Sequence, residues 1–548
     1  RLKNVQTYAG TQMAKDYRLG YEVSGAIPRS RLATVTECAG SSVCLPSTEV
    51  FWTAASNIDL TQVYYQAPNA SPIWRGARAR TLVADVNGDG KTDLVQIDYN
   101  SYSGQVLLSN GDGSFTPSTG VGDATFWRAS YGSTLVGDFN GDGRSDLIQI
   151  ASDFSQAQVL IATEHGAFNR GFYQAPGGGP IWSGAYATTF ATDVNGDGRT
   201  DLVQIANGEY AGQVLLSNGD GSFTKSMEVG NATFWPVNYG AVLVGDFNGD
   251  GKGDLVQISN AFYQAQVLVA TGNGAYNQGF YQAPGGAIWS GSHATTFAID
   301  VNGDGKTDLL QITNGAYSGQ AFLSNGNGGL TLSVATGTAV FWPANYAQTL
   351  AGDFNGDGQA DIVQIAYGYY QGQILLSNGD GSYSRGFYQP PNSSPLWRAS
   401  YAPALLGDSR GRGVTDIVQI ANDYDQAESM SVAGGLPALL ATVTTGLSAT
   451  TTVTYKPLTD ATTTYRQDYP YQGAPLSTQR HTDSDTLIGQ SLVTYTDKLL
   501  NTGISPTWHE SMPTRSVETS YELNGSLISS VTTDTQYDAY GNPLSIVV

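Results

Sequence analysis

Short apolar runs alternate with glycine-, asparagine- and aspartate-rich turns along most of this chain, and helical periodicity is missing throughout. Thr81-Leu82-Val83-Ala84 leads into one such turn and Leu94-Val95-Gln96-Ile97 leaves it. Gln105-Val106-Leu107-Leu108 follows a Tyr- or Gly-rich turn, and a fourth run begins at Phe115, after Asn110-Gly111-Asp112-Gly113. Runs of this length, bounded by such turns, predict strands, and the Asn-Gly and Asp-Gly pairs predict tight hairpins. The four-strand unit recurs seven times, with first turns starting 53, 55, 53, 54, 53 and 55 residues apart. That period fits one blade of a β-propeller. The expected fold is all-β: a seven-bladed propeller over residues 61–435. Residues 1–60 are expected to form an N-terminal β segment, the tail of a preceding domain or a closure of the propeller. Residues 436–548 are expected to form a further β-rich segment.

The first turn of each unit is a nine-residue loop. Six copies are intact and begin at Asp85, Asp138, Asp193, Asp246, Asp300 and Asp353. Oxygen-bearing side chains stand at positions 1, 3, 5 and 9, with glycine at 4 and 6. This is the layout of a loop wrapped around a hard divalent cation such as Ca²⁺. The seventh copy, Asp408-Ser409-Arg410-Gly411-Arg412-Gly413-Val414-Thr415-Asp416, has arginines at positions 3 and 5. Whatever it retains serves something other than metal.

A tryptophan precedes each loop by 11 residues: Trp74, Trp127, Trp182, Trp235, Trp289, Trp342 and Trp397. It is expected to fill the wedge between neighbouring sheets, with ligand stacking as the other reading. Position 12, which holds the bidentate glutamate in an EF-hand, is Gln96, Gln149, Gln204, Gln257, Gln311, Gln364 and Gln419. Gln419 accompanies a loop without ligands, so the glutamines are expected to form a structural ring between blades or around the axis. The units also pair. Tyr-Gln-Ala-Pro or a close variant (Tyr65, Tyr173, Tyr281, Tyr388) precedes odd-numbered loops, and Phe-Trp precedes even-numbered ones. Either this is a loop variant, or alternate junctions carry a surface pocket.

The net charge is −21, from 47 acidic and 26 basic residues, which argues against nucleic acid and anionic membranes as partners. The six loops hold three aspartates each, 18 of the 47, and six divalent ions would bring the charge to about −9. The acidity is therefore metal demand. At tenfold over its dissociation constant each ion would add about 1.4 kcal/mol, and six about 8. That rivals the 5–15 kcal/mol net stability of an ordinary domain, at about. Such weak sites need extracellular Ca²⁺, so a secreted protein is expected. Cys38 and Cys44 would close a short loop in an oxidising compartment and are otherwise free thiols. No run is apolar and long enough to span a bilayer as a helix. The start, Arg1-Leu2-Lys3-Asn4, lacks Met and a signal pattern, so a processed or excised chain is expected.

The loop Asp85-Val86-Asn87-Gly88-Asp89-Gly90-Lys91-Thr92-Asp93-Leu94 resembles the FG-GAP/VCBS repeat of integrin-α-like propellers. In that family positions 1, 3, 5 and 9 hold Ca²⁺ together with the backbone carbonyl of position 7. The resemblance implies six sites. The first is Asp85, Asn87, Asp89 and Asp93 with the Lys91 carbonyl; the second is Asp138, Asn140, Asp142 and Asp146 with Arg144. The third is Asp193, Asn195, Asp197 and Asp201 with Arg199; the fourth is Asp246, Asn248, Asp250 and Asp254 with Lys252. The fifth is Asp300, Asn302, Asp304 and Asp308 with Lys306; the sixth is Asp353, Asn355, Asp357 and Asp361 with Gln359.

The flanks resemble a narrower group. Asp16-Tyr17-Arg18-Leu19-Gly20-Tyr21, Ser30-Arg31-Leu32 and Cys38…Cys44-Leu45-Pro46 are similar to the segment before the propeller in SpvB-like and toxin-complex B proteins. Thr442–Gly446 and Thr452–Thr459 resemble their downstream junction, and Gln536-Tyr537-Asp538-Ala539-Tyr540-Gly541-Asn542-Pro543 resembles the opening of a YD repeat of Rhs proteins. This implies a non-enzymatic docking or gating module beside a β-shell, with a protein partner. The alternative is a glycan-binding adhesin using aromatic-rich blade junctions. Catalysis is not expected. His165, His293, His481 and His509 are scattered, His509-Glu510 lacks a second histidine at helical spacing, and no nucleophile-elbow, P-loop or dinucleotide motif occurs.

Overall fold

The computed structural model describes residues 2–23, 30–39, 43–53, 58–227, 230–333, 337–433, 439–453, 477–481, 487–499, 509–522, 524–537 and 543–548. Among them the secondary structure is β-strand apart from a single 3₁₀ turn at Val237–Tyr239. Seven four-stranded antiparallel sheets follow one another. In the first, Ala79–Ala84 leads into the nine-residue loop, Asp93–Asp98 leaves it, and Gly104–Ser109 and Phe115–Pro117 complete the sheet. The second strand of each unit is continuously apolar around its glutamine and buried along its whole length, because both faces of the sheet are covered.

The seventh sheet is closed from the other end of the chain. Its strands Ala404–Gly407, Asp416–Ile420 and Ala427–Ala433 are joined by Asp59–Gln66, which pairs Leu60 with Val432 and Gln66 with Ala427.

Neighbouring sheets are stitched at both ends by backbone hydrogen bonds. At one end the amide at position 8 of each loop donates to the position-1 carbonyl of the loop before it. Ser145 reaches Asp85, Thr200 reaches Asp138, Gly253 reaches Asp193, Thr307 reaches Asp246, Ala360 reaches Asp300 and Thr415 reaches Asp353, all at 2.6–2.8 Å. Thr92 then reaches back to Asp408 at 2.9 Å and closes the circle. At the other end the segment after each tryptophan donates to the end of the preceding unit's second strand, as from Ala129 to Asp98, from Ala399 to Ala366 and from Gly76 to Ala421. These bonds satisfy loop amides that would otherwise be buried without partners.

Apolar side chains fill the wedges between sheets. Val95 and Ile97 meet Leu147 and Leu160; Phe139 and Ile148 meet Leu202 and Leu215; Leu94 and Leu107 meet Val418 and Ile420 across the closure. The tryptophans do not do this. Only Trp235 and Trp342 are buried, and six of the seven stand edge-to-face against the residue four further on, as Trp127 does on Tyr131 at 5.4 Å. Aliphatic, Phe and Tyr side chains fill the wedges, and among the described residues no indole belongs to these inter-sheet clusters; Trp342 packs instead with Ala347 and Ala366.

The glutamine ring expected between blades is also absent; each glutamine works inside its own unit. Gln96 accepts the Trp74 amide at 2.8 Å and donates to the Trp74 carbonyl and the Thr81 hydroxyl at 2.9 Å. The same clamp on the tryptophan backbone recurs in every unit through Gln419 and Trp397. A second glutamine opposite it on the third strand, Gln105 in the first unit, donates to Gln96 at 2.8 Å.

Strands from both flanks of the repeats share one further sheet, in which Val50 pairs with Val443. Cys38 and Cys44 form a disulfide within it. A five-stranded sheet spans residues 477–547. Residues 454–459 and 538–542, which carry part of the junction and YD resemblances, lie outside the described residues.

Candidate metal centre

Each intact loop is held by its own carboxylates. Gly88 and Gly90 adopt left-handed backbone, φ 75° and 77°, which turns successive amides inward. Asp85 Oδ1 accepts the amides of Gly88 and Asp89 at 2.8 and 3.1 Å, and Oδ2 accepts that of Gly90 at 2.8 Å. Asn87 Oδ1 accepts the Asp89 amide at 3.2 Å, and Asn87 Nδ2 donates to Asp89 Oδ2 at 3.2 Å. The position-9 aspartate is fully buried and ties the loop to the sheet. Asp93 accepts from Val86 at 3.0 Å and from Ser109 on the third strand at 2.8 Å.

Burial, opposed by these amides and reinforced by the aspartates at positions 1 and 5, drives the position-9 carboxyls upward. Asp93, Asp201, Asp254 and Asp308 are pushed up to about 7 and Asp146 to about 8, while Asp361 lies well above the ordinary value. Asp85, Asp138 and Asp353 at position 1 are raised too, first by burial. Three carboxylates crowded this way create a negative potential that a cation would relieve.

The structure adds a residue role that the spacing did not show. The position-7 side chain neutralises the position-5 carboxylate: Lys91 on Asp89 and Arg144 on Asp142 at 2.5 Å, Lys252 on Asp250 at 2.7 Å, Lys306 on Asp304 at 2.5 Å, and Arg199 on Asp197. Gln359 donates to Asp357 at 3.4 Å. Burial acts against ionised Asp197, Asp250 and Asp304, yet the position-7 cation holds all three below the ordinary value. Among the described residues no three His, Cys, Asp or Glu side chains are grouped as a ready-made metal site. The remaining donors are amide oxygens, and the position-5 carboxylate is turned toward position 7. The all-oxygen set of carboxylates, Asn amide and backbone carbonyl still suits a hard cation. Basic residues at position 7 in five of six copies were the available signal for this pairing.

The seventh loop makes the comparison internal to the chain. Asp408 keeps its frame, accepting from Arg412 at 2.9 Å and Gly413 at 2.5 Å. Asp416, fully buried, receives the Ser409 hydroxyl at 2.8 Å and the Arg412 guanidinium at 3.4 Å. Arg410 and Arg412 also bond Ser431. Where the metal-type side chains are lost, the loop supplies a cation of its own.

The FG-GAP-like repeat family model matches residues 85–148, 193–256 and 300–364, three stretches that each begin at an odd-numbered loop. This is a β-propeller-type repeat protein. Among curated proteins nothing matches. The propeller-type chain is similar to an Agrocybe aegerita lectin structure on specific recognition of non-reducing terminal N-acetylglucosamine. There the identity is 21% and the TM-score 0.47, over 58% of this chain and 80% of that one. It is also similar to the Photorhabdus luminescens Tc holotoxin pore, at 15% identity and TM-score 0.46 over 98% of this chain, and spans 29% of that chain's length. A Lactobacillus plantarum protein matches at 13% identity and TM-score 0.38, over 68% of this chain and 95% of that one.

His165 is exposed beside Glu164, and His293 packs on Trp289 at 5.2 Å. The side chains of His481 and His509 lie outside the described residues. No helix among the described residues is long and apolar enough to cross a membrane.

Proposed function

We propose that this chain is a calcium-stabilised, seven-bladed β-propeller that serves as a non-enzymatic scaffold and docking module of a secreted bacterial protein of the Rhs or toxin-complex type. The observation that carries the calcium part is the contrast among the seven loops. Six carry three aspartates and an asparagine in one nine-residue turn, and the seventh replaces that arrangement with Arg412 against Asp416. In the six, Asp and Asn at positions 1, 3, 5 and 9 and the position-7 carbonyl would hold the ion, and the position-7 side chain would swing away from Asp at position 5. The ion supplies charge neutralisation and rigidity. The docking role rests on the order of the flanking resemblances around the repeats and on the shared sheet that joins both flanks. Native mass spectrometry of the calcium-loaded chain is expected to show six ions; zero ions at millimolar Ca²⁺ would remove the calcium reading.

A further inference from the structure

The face opposite the metal-type loops carries four copies of one polar–aromatic relay. In the second unit Tyr131 donates to Gln156 Oε1 at 2.8 Å, and Gln156 Nε2 donates to the Tyr173 hydroxyl at 2.9 Å. In the fourth unit Tyr239, Gln264 and Tyr281 repeat it at 2.7 and 2.9 Å. In the sixth, Tyr346, Gln371 and Tyr388 do so at 2.8 and 3.1 Å. In the seventh, Tyr401 and Gln426 end on Tyr65 of the closing strand at 2.5 and 3.0 Å. The first tyrosine of each relay stands edge-to-face on its unit's tryptophan, with centroids 5.3–5.7 Å apart, and so is fixed. The last tyrosine is about half exposed in all four: 46% for Tyr173, 50% for Tyr281, 42% for Tyr388 and 50% for Tyr65. Beside each relay the turn between the second and third strands adds another exposed ring: Phe154, Phe262, Tyr369 or Tyr424.

The fold does not need these groups exposed. The wedges are filled without them, and the first, third and fifth units lack the relay, placing Arg78, Tyr186 or His293 after their tryptophans. Four fixed hydroxyl–amide chains, each ending on an exposed ring beside a second ring, make a repeated shallow site. Its chemistry is that of exposed aromatic rings edged by hydrogen-bonding groups. A pyranose matches that, offering C–H faces to stack and hydroxyls to bond. Charge is not shared among the four. Arg128 and Arg398 follow the tryptophan in two of these units, while Pro236 and Pro343 follow it in the others. A ligand recognised at all four is therefore neutral. We infer that these relays are four binding sites for a neutral saccharide, arranged on one face for a ligand displayed in many copies. Four weak sites on a rigid face gain by avidity about 100-fold or more over one.

The inference is independent of the calcium reading. Its test is binding of the full chain, in Ca²⁺-containing buffer, to an array of neutral and sialylated oligosaccharides. Neutral glycans are expected to bind. The variant Tyr65→Phe/Tyr173→Phe/Tyr281→Phe/Tyr388→Phe keeps the rings and removes the terminal hydroxyls, and is expected to weaken binding about fivefold per site. Tyr186→Phe, outside any relay, is expected to leave it unchanged. Melting temperatures equal to the parent's confirm that both variants are folded. Binding of no glycan, binding confined to sialylated glycans, or unchanged binding by the fourfold variant would overturn the inference.

Discussion

At the scale of single residues, the seventh loop separates what holds the backbone from what answers charge. Asp408 survives there because it carries the loop frame, and the backbone bond from position 8 to the loop before is kept whatever the side chain, as Gly253 and Ala360 show beside Thr415; Arg412 lies against the buried Asp416. Removing Arg412 leaves that carboxylate without its cation. Arg412→Ala is therefore expected to cost about 3 kcal/mol, equally with and without Ca²⁺. Asp201→Ala is expected to cost stability chiefly when Ca²⁺ is present and to lower the ion count by one. Denaturant unfolding of both variants in Ca²⁺ and in EDTA checks this, and an equal Ca²⁺ dependence in the two would contradict it. The loops and their aspartate frame were legible in the sequence because backbone geometry ties the first aspartate to a fixed pair of glycines. The arginine substitution was legible as a loss, but not as a replacement. That needed the distance from Arg412 to Asp416, which spacing alone does not specify.

At the scale of elements, the strands and turns were legible because their period and hairpin residues agree. The destinations of side chains were not. The tryptophan and the position-12 glutamine are both invariant through the seven units, yet their roles depend on which side chains fill the wedge and on the loop that returns beside the second strand. One exception among the repeats carries a consequence. Six third strands place a glutamine opposite the clamp glutamine, and the seventh places Glu428. Glu428 is fully buried at the closing seam, where Gln62 of the N-terminal strand donates to it at 2.5 Å. Burial, opposed by Gln62 and the Trp397 amide, pushes its carboxyl up to about 8. The folded value is above the unfolded one, so the protonated form's contribution is whole below about pH 4.5. It is lost as pH rises toward 8, by up to about 1.4 kcal/mol per unit. Glu428→Gln restores the amide of the other six units. Its stability advantage over the parent, measured in saturating Ca²⁺, is expected to grow between pH 5 and pH 8. A constant difference across that range would exclude a buried titrating carboxyl.

At the scale of the whole molecule, the loops are not seven separate sites. Each is bonded through its backbone to the next, from Asp85 around to Thr92 and Asp408, so order in one is passed to its neighbours. The repeat period made a ring foreseeable, and closure by the N-terminal segment was one of two readings of it; the bonds between loops and the bounds and register of Asp59–Gln66 against Ala427–Ala433 were visible only in three dimensions, because they join residues far apart in the chain. If ions hold six of these seven linked loops, their removal acts on the whole circle at once. The most direct measurement is the thermal unfolding midpoint of the chain in 2 mM Ca²⁺ and in EDTA, on the order of concentrations where extracellular calcium modules saturate. The calcium-stabilised ring predicts one cooperative transition that falls by about 10 °C or more in EDTA, in keeping with the loss of several kcal/mol. Coincident unfolding curves in the two conditions would contradict it.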